Sequence, residues 1–315
     1  MKRRAVAAAA LAVLGAACNG SEANSPEDSL PLADARIDLP SLAACGPCHP
    51  RQYDEWAASL HHRAWINANV REATNDFAQE ECRCCHSPLP VLTHSLTEQP
   101  LFRAFLQDDG VHCLSCHGRE DGVAAARTVP DAPCRPHRDE RLLQAELCQP
   151  CHEPTHQAFT EYRQSAAFAD GVRCADCHMP EREDGSGRSH GPHGGLSAAF
   201  VQKALRWQCA IVGGELVVTL RNKTGHKFPG EIPSRSFLVR VDVRGREPVR
   251  ELLRRPFKGE ARADNRLLPD EERVLRYPLG ADLAAADVSV RLLFRPLPLT
   301  PEEDAFVLGE WRGGH

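Results

Sequence analysis

The chain has 315 residues, 42% apolar and only 6% aromatic, with a formal charge of −5. At roughly 100–200 residues per domain this length predicts two domains, and the acidic balance excludes a basic field for nucleic acid. The 14 Cys and 15 His stand against two Met, one the initiator and the other, Met179, directly after a motif histidine, so metal chemistry here must run on cysteine and histidine.

Residues 1–17 read as a signal peptide. Lys2, Arg3 and Arg4 precede the apolar run Ala5 to Leu14, which is too short to span a bilayer. The run ends Leu14-Gly15-Ala16-Ala17-Cys18, and small residues before a cysteine resemble a lipoprotein signal with a lipid anchor at Cys18. The leucine lies four residues before the cysteine rather than three, so ordinary cleavage near this point is the alternative. Residues 18–40, with Asn, Ser, Glu and Asp prominent, read as a tether. The expected location is the periplasm or cell envelope.

Residues 41–202 repeat Cys-x-x-Cys-His five times, with starts separated by 37, 31, 35 and 26 residues. This is the attachment signature of c-type haem. Two thiols add to the porphyrin vinyl groups and the adjacent histidine binds the iron, so both thioethers and one nitrogen must meet one macrocycle. Zinc or thiol redox chemistry suits a lone Cys-x-x-Cys but not five copies, each followed by His, in an exported chain. The expected attachment residues are Cys45 and Cys48, Cys82 and Cys85, Cys113 and Cys116, Cys148 and Cys151, and Cys174 and Cys177. The paired ligands are His49, His86, His117, His152 and His178. Five c-type haems in so short a region would themselves form much of the core, which accounts for the lean composition. Cys84, Cys134 and Cys209 lie outside the motifs and read as buried thiols or disulfide partners.

A second axial ligand is needed at each iron. With methionine removed by counting, the candidates are the non-motif histidines, and bis-His irons of low potential follow. Pro50, Tyr53, Trp56 and Leu60 continue the first motif at helical spacing. His61 would then lie about 18 Å along the helix from His49 and reach a different haem. His62 points about 100° away, so only one of the two would bind iron.

Beyond residue 203 the period changes to two. Leu216, Val218 and Leu220 alternate with Val217, Thr219 and Arg221, and segments from Phe237 and from Val288 repeat the pattern. Residues 203–315 therefore read as a β-sandwich, loosely immunoglobulin-like. The fold class is α+β: a mainly helical and irregular multihaem domain, then this sandwich. The loop holding His226 lacks an obvious strand role, and Gly225 and Gly230 permit a tight backbone excursion.

These residues resemble the multihaem c-type cytochromes of the cytochrome c-554 and hydroxylamine oxidoreductase type. The similarity is carried by Cys45-Gly-Pro-Cys-His-Pro with Tyr53, Trp56 and Ser59-Leu60-His61, and by Gly110-Val111 before Cys113. It continues in Cys174-Ala-Asp-Cys-His-Met-Pro180 with Ser189-His190, and in Asn222-Lys-Thr-Gly-His226-Lys-Phe-Pro-Gly230. The resemblance implies His61, His190 and His226 as distal ligands, with His137 as a fourth. His94, His112 and His156 compete for the fifth place. All five motifs end in His, which departs from pentahaem nitrite reductases, where a lysine replaces one motif histidine. The expected function is electron carriage to redox partner proteins such as other cytochromes, with no catalytic residue assigned. The alternative is an oxidoreductase with one open haem acting on a small nitrogen or sulfur oxyanion.

Overall fold

The computed structural model describes residues 44–153, 156–280, 285–298 and 300–313. The signal segment, Cys18 and the tether lie outside the described residues. Among the described residues no helix is long and apolar enough to cross a membrane.

The first part is built from short helices: α1 (Pro50–Ala57), α2 (Ala68–Ala73), α3 (Glu80–His86), α4 (Cys113–His117), α5 (Gln149–His152), α6 (Ala158–Arg163), α7 (Ala166–Ala169), α8 (Cys174–His178) and α9 (Ala198–Val201). Proline opens α1, where its fixed φ suits a helix and its missing N–H costs nothing. Trp56 is buried, and its indole N–H donates to the Val111 carbonyl at 2.9 Å. The helix stops at Ala57, short of His61. Ser59 is the reason: its buried hydroxyl accepts the His62 N–H at 3.2 Å, which diverts the backbone from the helical pattern. Between α4 and α5 lies a small sheet of β1 (Gly118–Arg119), β2 (Gly122–Ala125) and β3 (Pro136–Arg138), antiparallel and then parallel.

The second part holds seven further strands: β4 (Leu205–Val212), β5 (Glu215–Asn222), β6 (Ser236–Val243), β7 (Val249–Arg254), β8 (Glu272–Pro278), β9 (Val288–Arg295) and β10 (Phe306–Arg312). They form two antiparallel sheets, ordered β4-β5-β8 and β10-β9-β6-β7. The β4–β5 turn is Gly213-Gly214 with φ of +58° and +80°, as a two-residue hairpin of matching twist requires. Leu216, Val218 and Leu220 all face the shared core from β5, opposite Phe237, Val239, Val290 and Leu292. On β6 Leu238 is buried too, because its outer face packs on Leu293 and Ala305.

Apolar burial is uneven between the parts. The strands share one large cluster, while the helical part has only small groups around Phe77, around Val91 and Leu92, and around Phe159 and Tyr162.

Candidate haem centre

Each motif occupies about one helical turn, which brings Cys, Cys and His to one side. In the first, the His49 N–H bonds the Cys45 carbonyl at 2.9 Å. Two later turns are secured by side chains. His112 caps α4: its Nδ1 accepts the Ser115 N–H at 3.1 Å, and Ser115 Oγ accepts the His112 N–H at 3.1 Å. At α8 the Asp176 carboxylate accepts from the Arg173 N–H at 2.9 Å and pairs with Arg173 and Arg188. These ion pairs hold the Asp176 carboxyl well below its ordinary range, although burial opposes them.

Eight of the ten motif cysteines line one cavity of about 3120 Å³. Thiols of different motifs interact with one another: Cys45 with Cys113, Cys85 with Cys151, and Cys148 with Cys174. Cys116 also lies within electrostatic reach of Cys148 and Cys151. The first motif is therefore beside the third and the third beside the fourth, while the second and fifth both flank the fourth.

Histidine rings from distant segments meet in pairs. Ring centres are 6.3 Å apart for His61 and His152, 6.2 Å for His117 and His190, and 6.3 Å for His178 and His226. Two imidazoles that bind one metal atom from opposite sides, through nitrogen–metal bonds of about 2 Å, have ring centres about 6 Å apart. The observed spacing fits that arrangement. His117 Nδ1 faces the Ala124 carbonyl at 2.8 Å and His178 Nδ1 the His193 carbonyl at 2.7 Å. His190 and His226 face the carbonyls of Arg188 and Lys227 at 3.1 and 3.2 Å. A carbonyl acceptor assigns the proton to Nδ1 and leaves the Nε2 lone pair for a metal.

The rings of His61 and His152 are open to the cavity yet enclosed by protein around it. Desolvation pushes His152 down to about 3 and His226 down to about 4, and lowers His61, His117, His178 and His190 in the same direction. These rings are therefore neutral at neutral pH, the form that binds metal. Thiol pairs on one turn beside opposed neutral imidazoles make a donor set that fits an iron porphyrin.

The remaining histidines divide. His86 Nδ1 faces the Ala64 carbonyl at 2.8 Å, and its ring lies 5.3 Å from that of Phe77. Among the described residues no histidine ring stands opposite His49 or His86 in the manner of the three pairs. His156 has its ring centre 6.3 Å from that of His152 and interacts electrostatically with His86. His137 lies on β3 against Gly122, and the cavity is lined instead by its neighbours Pro136 and Arg138. His94 is exposed. His62 packs on Trp56 at 4.4 Å and faces the Ala57 carbonyl.

Sequence reasoning missed the groups behind the ligands. The carbonyls of Ala124 and His193 belong to the main chain and carry no residue signal. Glu55 accepts the His190 N–H at 2.7 Å and pairs with Arg182 at 2.5 Å, fastening the His190 segment to α1. Only its place on α1 marked it.

No curated protein matches the chain. Residues 44–118, which hold the first three motifs, match the family model described as cytochrome c554 and c-prime. A solved structure, a penta-heme cytochrome c552 from Thermochromatium tepidum, is similar with a TM-score of 0.62 at 18% identity, over 85% of this chain and 97% of that chain. At that identity the likeness speaks for the fold, and the five motifs with the family match over residues 44–118 support multihaem c-type cytochrome chemistry, that of electron transfer.

Proposed function

We propose that this chain carries electrons through five covalently attached haems, three of them held between the histidine pairs 61/152, 117/190 and 178/226. The observation that carries the reading is the ring-centre spacing of 6.2–6.3 Å in all three. Each haem supplies a one-electron ferric–ferrous couple, and bis-His ligation without methionine sets a low potential. The chain's own work is to fix four of these six rings by a carbonyl at Nδ1, to exclude water, and to bring the motifs side by side. The thiol contacts support a continuous route from the first motif through the third to the fourth, with branches to the second and fifth.

Residues 41–202 act as the haem domain and 203–315 as a β-sandwich that returns His226 to it. The two-sheet strand order supports an immunoglobulin-like reading of that sandwich. The charged start and apolar run of residues 2–14 support export, and Cys18 is the proposed lipid anchor, holding the protein near redox partners such as other cytochromes.

A second reading, an oxidoreductase with an open haem at the second motif, is favoured by one observation. His86 has no histidine opposite it among the described residues, while Arg235 and Arg255 lie within electrostatic reach of nearby His156. A small nitrogen or sulfur oxyanion suits such a cationic surround.

Two measurements test the proposal. Intact mass of the mature holoprotein should show five haem additions and a lipid on Cys18. Electron paramagnetic resonance should show at least three low-spin bis-imidazole centres, and fewer would overturn the pairing. If a carbon-monoxide-binding centre turns over nitrite or sulfite faster than the protein exchanges electrons with a c-type cytochrome, the oxidoreductase reading replaces the carrier.

A further inference from the structure

The structure assigns a redox-linked proton site to the facing carboxylates of Glu161 and Glu231, at the seam between α6 and the strand-built part, beside the His178–His226 pair. The inference rests on the proposal that this pair holds a haem.

Glu161 is only 4% exposed. Its Oε2 accepts the main-chain N–H of Lys227, the residue after His226, at 2.9 Å, and its Oε1 accepts from Arg266 Nη2 at 3.2 Å. Arg266, itself 3% exposed, also donates to Asp264 at 2.8 Å and to the Gly230 carbonyl at 3.0 Å. Glu231 lies 3.5 Å from Arg266 Nη1, and neither of its oxygens accepts a hydrogen bond from a protein N–H. It faces Glu161 instead, close enough for the two carboxylates to share a proton. Lys227 Nζ is 3.5 Å from Glu161 and 3.4 Å from Asp264. Arg255 donates to the Glu231 carbonyl at 3.0 Å, and Arg235 interacts with Glu231 electrostatically. Arg266 and Lys227 are thus shared among three carboxylates.

Two carboxylates in contact inside a protein do not both ionise readily. Burial, with Glu161 beside it, pushes Glu231 up to about 8, against the pull of Arg266 and Arg255. Glu161 also acts electrostatically on His226. An electron delivered between His178 and His226 adds one negative charge within reach of the pair and raises its affinity for a proton. The step balances: a reduced partner protein supplies one electron, water supplies one proton, and an O–H bond forms on Glu231. Oxidation reverses both. Below a pH of about 8 the carboxyl is protonated in either redox state and the potential is flat. Above it, proton uptake accompanies reduction, and the potential falls by up to about 59 mV for each tenfold drop in proton activity. It flattens again once the reduced form has also lost the proton.

The test is potentiometric titration of the holoprotein at pH values on both sides of that onset. The haem followed is the low-spin one that His226→Ala converts to high spin. The wild type should show the sloping segment. Glu231→Gln should remain at the potential of the acid limb throughout, because the amide mimics the neutral carboxyl. Glu161→Gln should move the onset to lower pH, because Glu231 has lost its negative neighbour. A flat wild type, or a slope and onset unchanged in either variant, would overturn the inference. Failure of the axial pairing reads differently: His226→Ala then leaves every low-spin signal intact, and the inference falls with that reading.

Discussion

Arg103 is wholly withdrawn from solvent and makes no ion pair among the described residues. Its guanidinium donates to the carbonyls of Phe105 and Leu106, and to that of Gly110 at 2.7 Å. Desolvation pushes it down to about 10, with Asp109 pulling the other way. The loop it gathers ends at Val111, whose N–H bonds the His61 carbonyl at 2.9 Å. Arg103→Met should therefore cost about 3 kcal/mol, since three carbonyls lose their donor, and should weaken low-spin ligation by His61. Denaturant unfolding of the holoprotein checks this, and an unchanged midpoint would contradict it. Asp139 is a second case. Arg141 holds its carboxyl down to about 2, burial opposes, and Arg119 adds a contact at 2.7 Å. A carboxyl lowered in the folded state contributes stability that is present above its ordinary 3.8 and is lost as pH falls towards 2. Asp139→Asn should be less stable at neutral pH and show a shallower acid loss, read from unfolding midpoints at several acid pH values. Neither role was legible, because a buried Arg or Asp looks in sequence like any surface charge.

Among the elements, the strands were the most legible. Period two in β5, β6 and β9 named the inward residues directly, and Leu216, Val218 and Leu220 are each fully buried. Leu238 breaks the alternation only because a second small cluster covers the outer face of β6. The sheet of β1 to β3 left no trace, since strands of two to four residues are too short to display a period. The predicted helix after His49 exists but ends early at a side-chain hydroxyl, an event that periodicity does not register. The His226 loop was visible through its glycines, yet what shapes it is Asn222, fully buried on β5. Its Nδ2 donates to the His226 carbonyl at 2.8 Å and to that of Leu268 at 2.9 Å, and its Oδ1 accepts the Thr224 N–H at 2.9 Å. Asn222→Ala should cost about 2–4 kcal/mol through unpaired buried groups and convert part of one low-spin centre to high spin. Spectra of the oxidised variant decide this, and a fully retained low-spin signal would mean the loop holds its shape without Asn222.

In the whole molecule the motifs form one connected set, so electrons added in less than stoichiometric amount should redistribute over all haems as a single population. Rapid reduction followed by time-resolved spectra tests this; two populations that fail to exchange would break the connected route. The repeat itself determined the cofactor chemistry. Two thiols and an adjacent nitrogen must meet one macrocycle, and that demand is written in local spacing, which folding does not alter. The same locality made the strands readable. Tertiary structure decided which histidine faces which, because His61 meets His152, and His226 meets His178, across long stretches of chain whose paths no local pattern encodes. It also decided that His112 is a helix cap, that the ring of His137 is set apart from the cavity lining, and that Glu161 and Glu231 meet at all. Such pairings arise only when separate segments pack together, and packing depends on the whole chain at once.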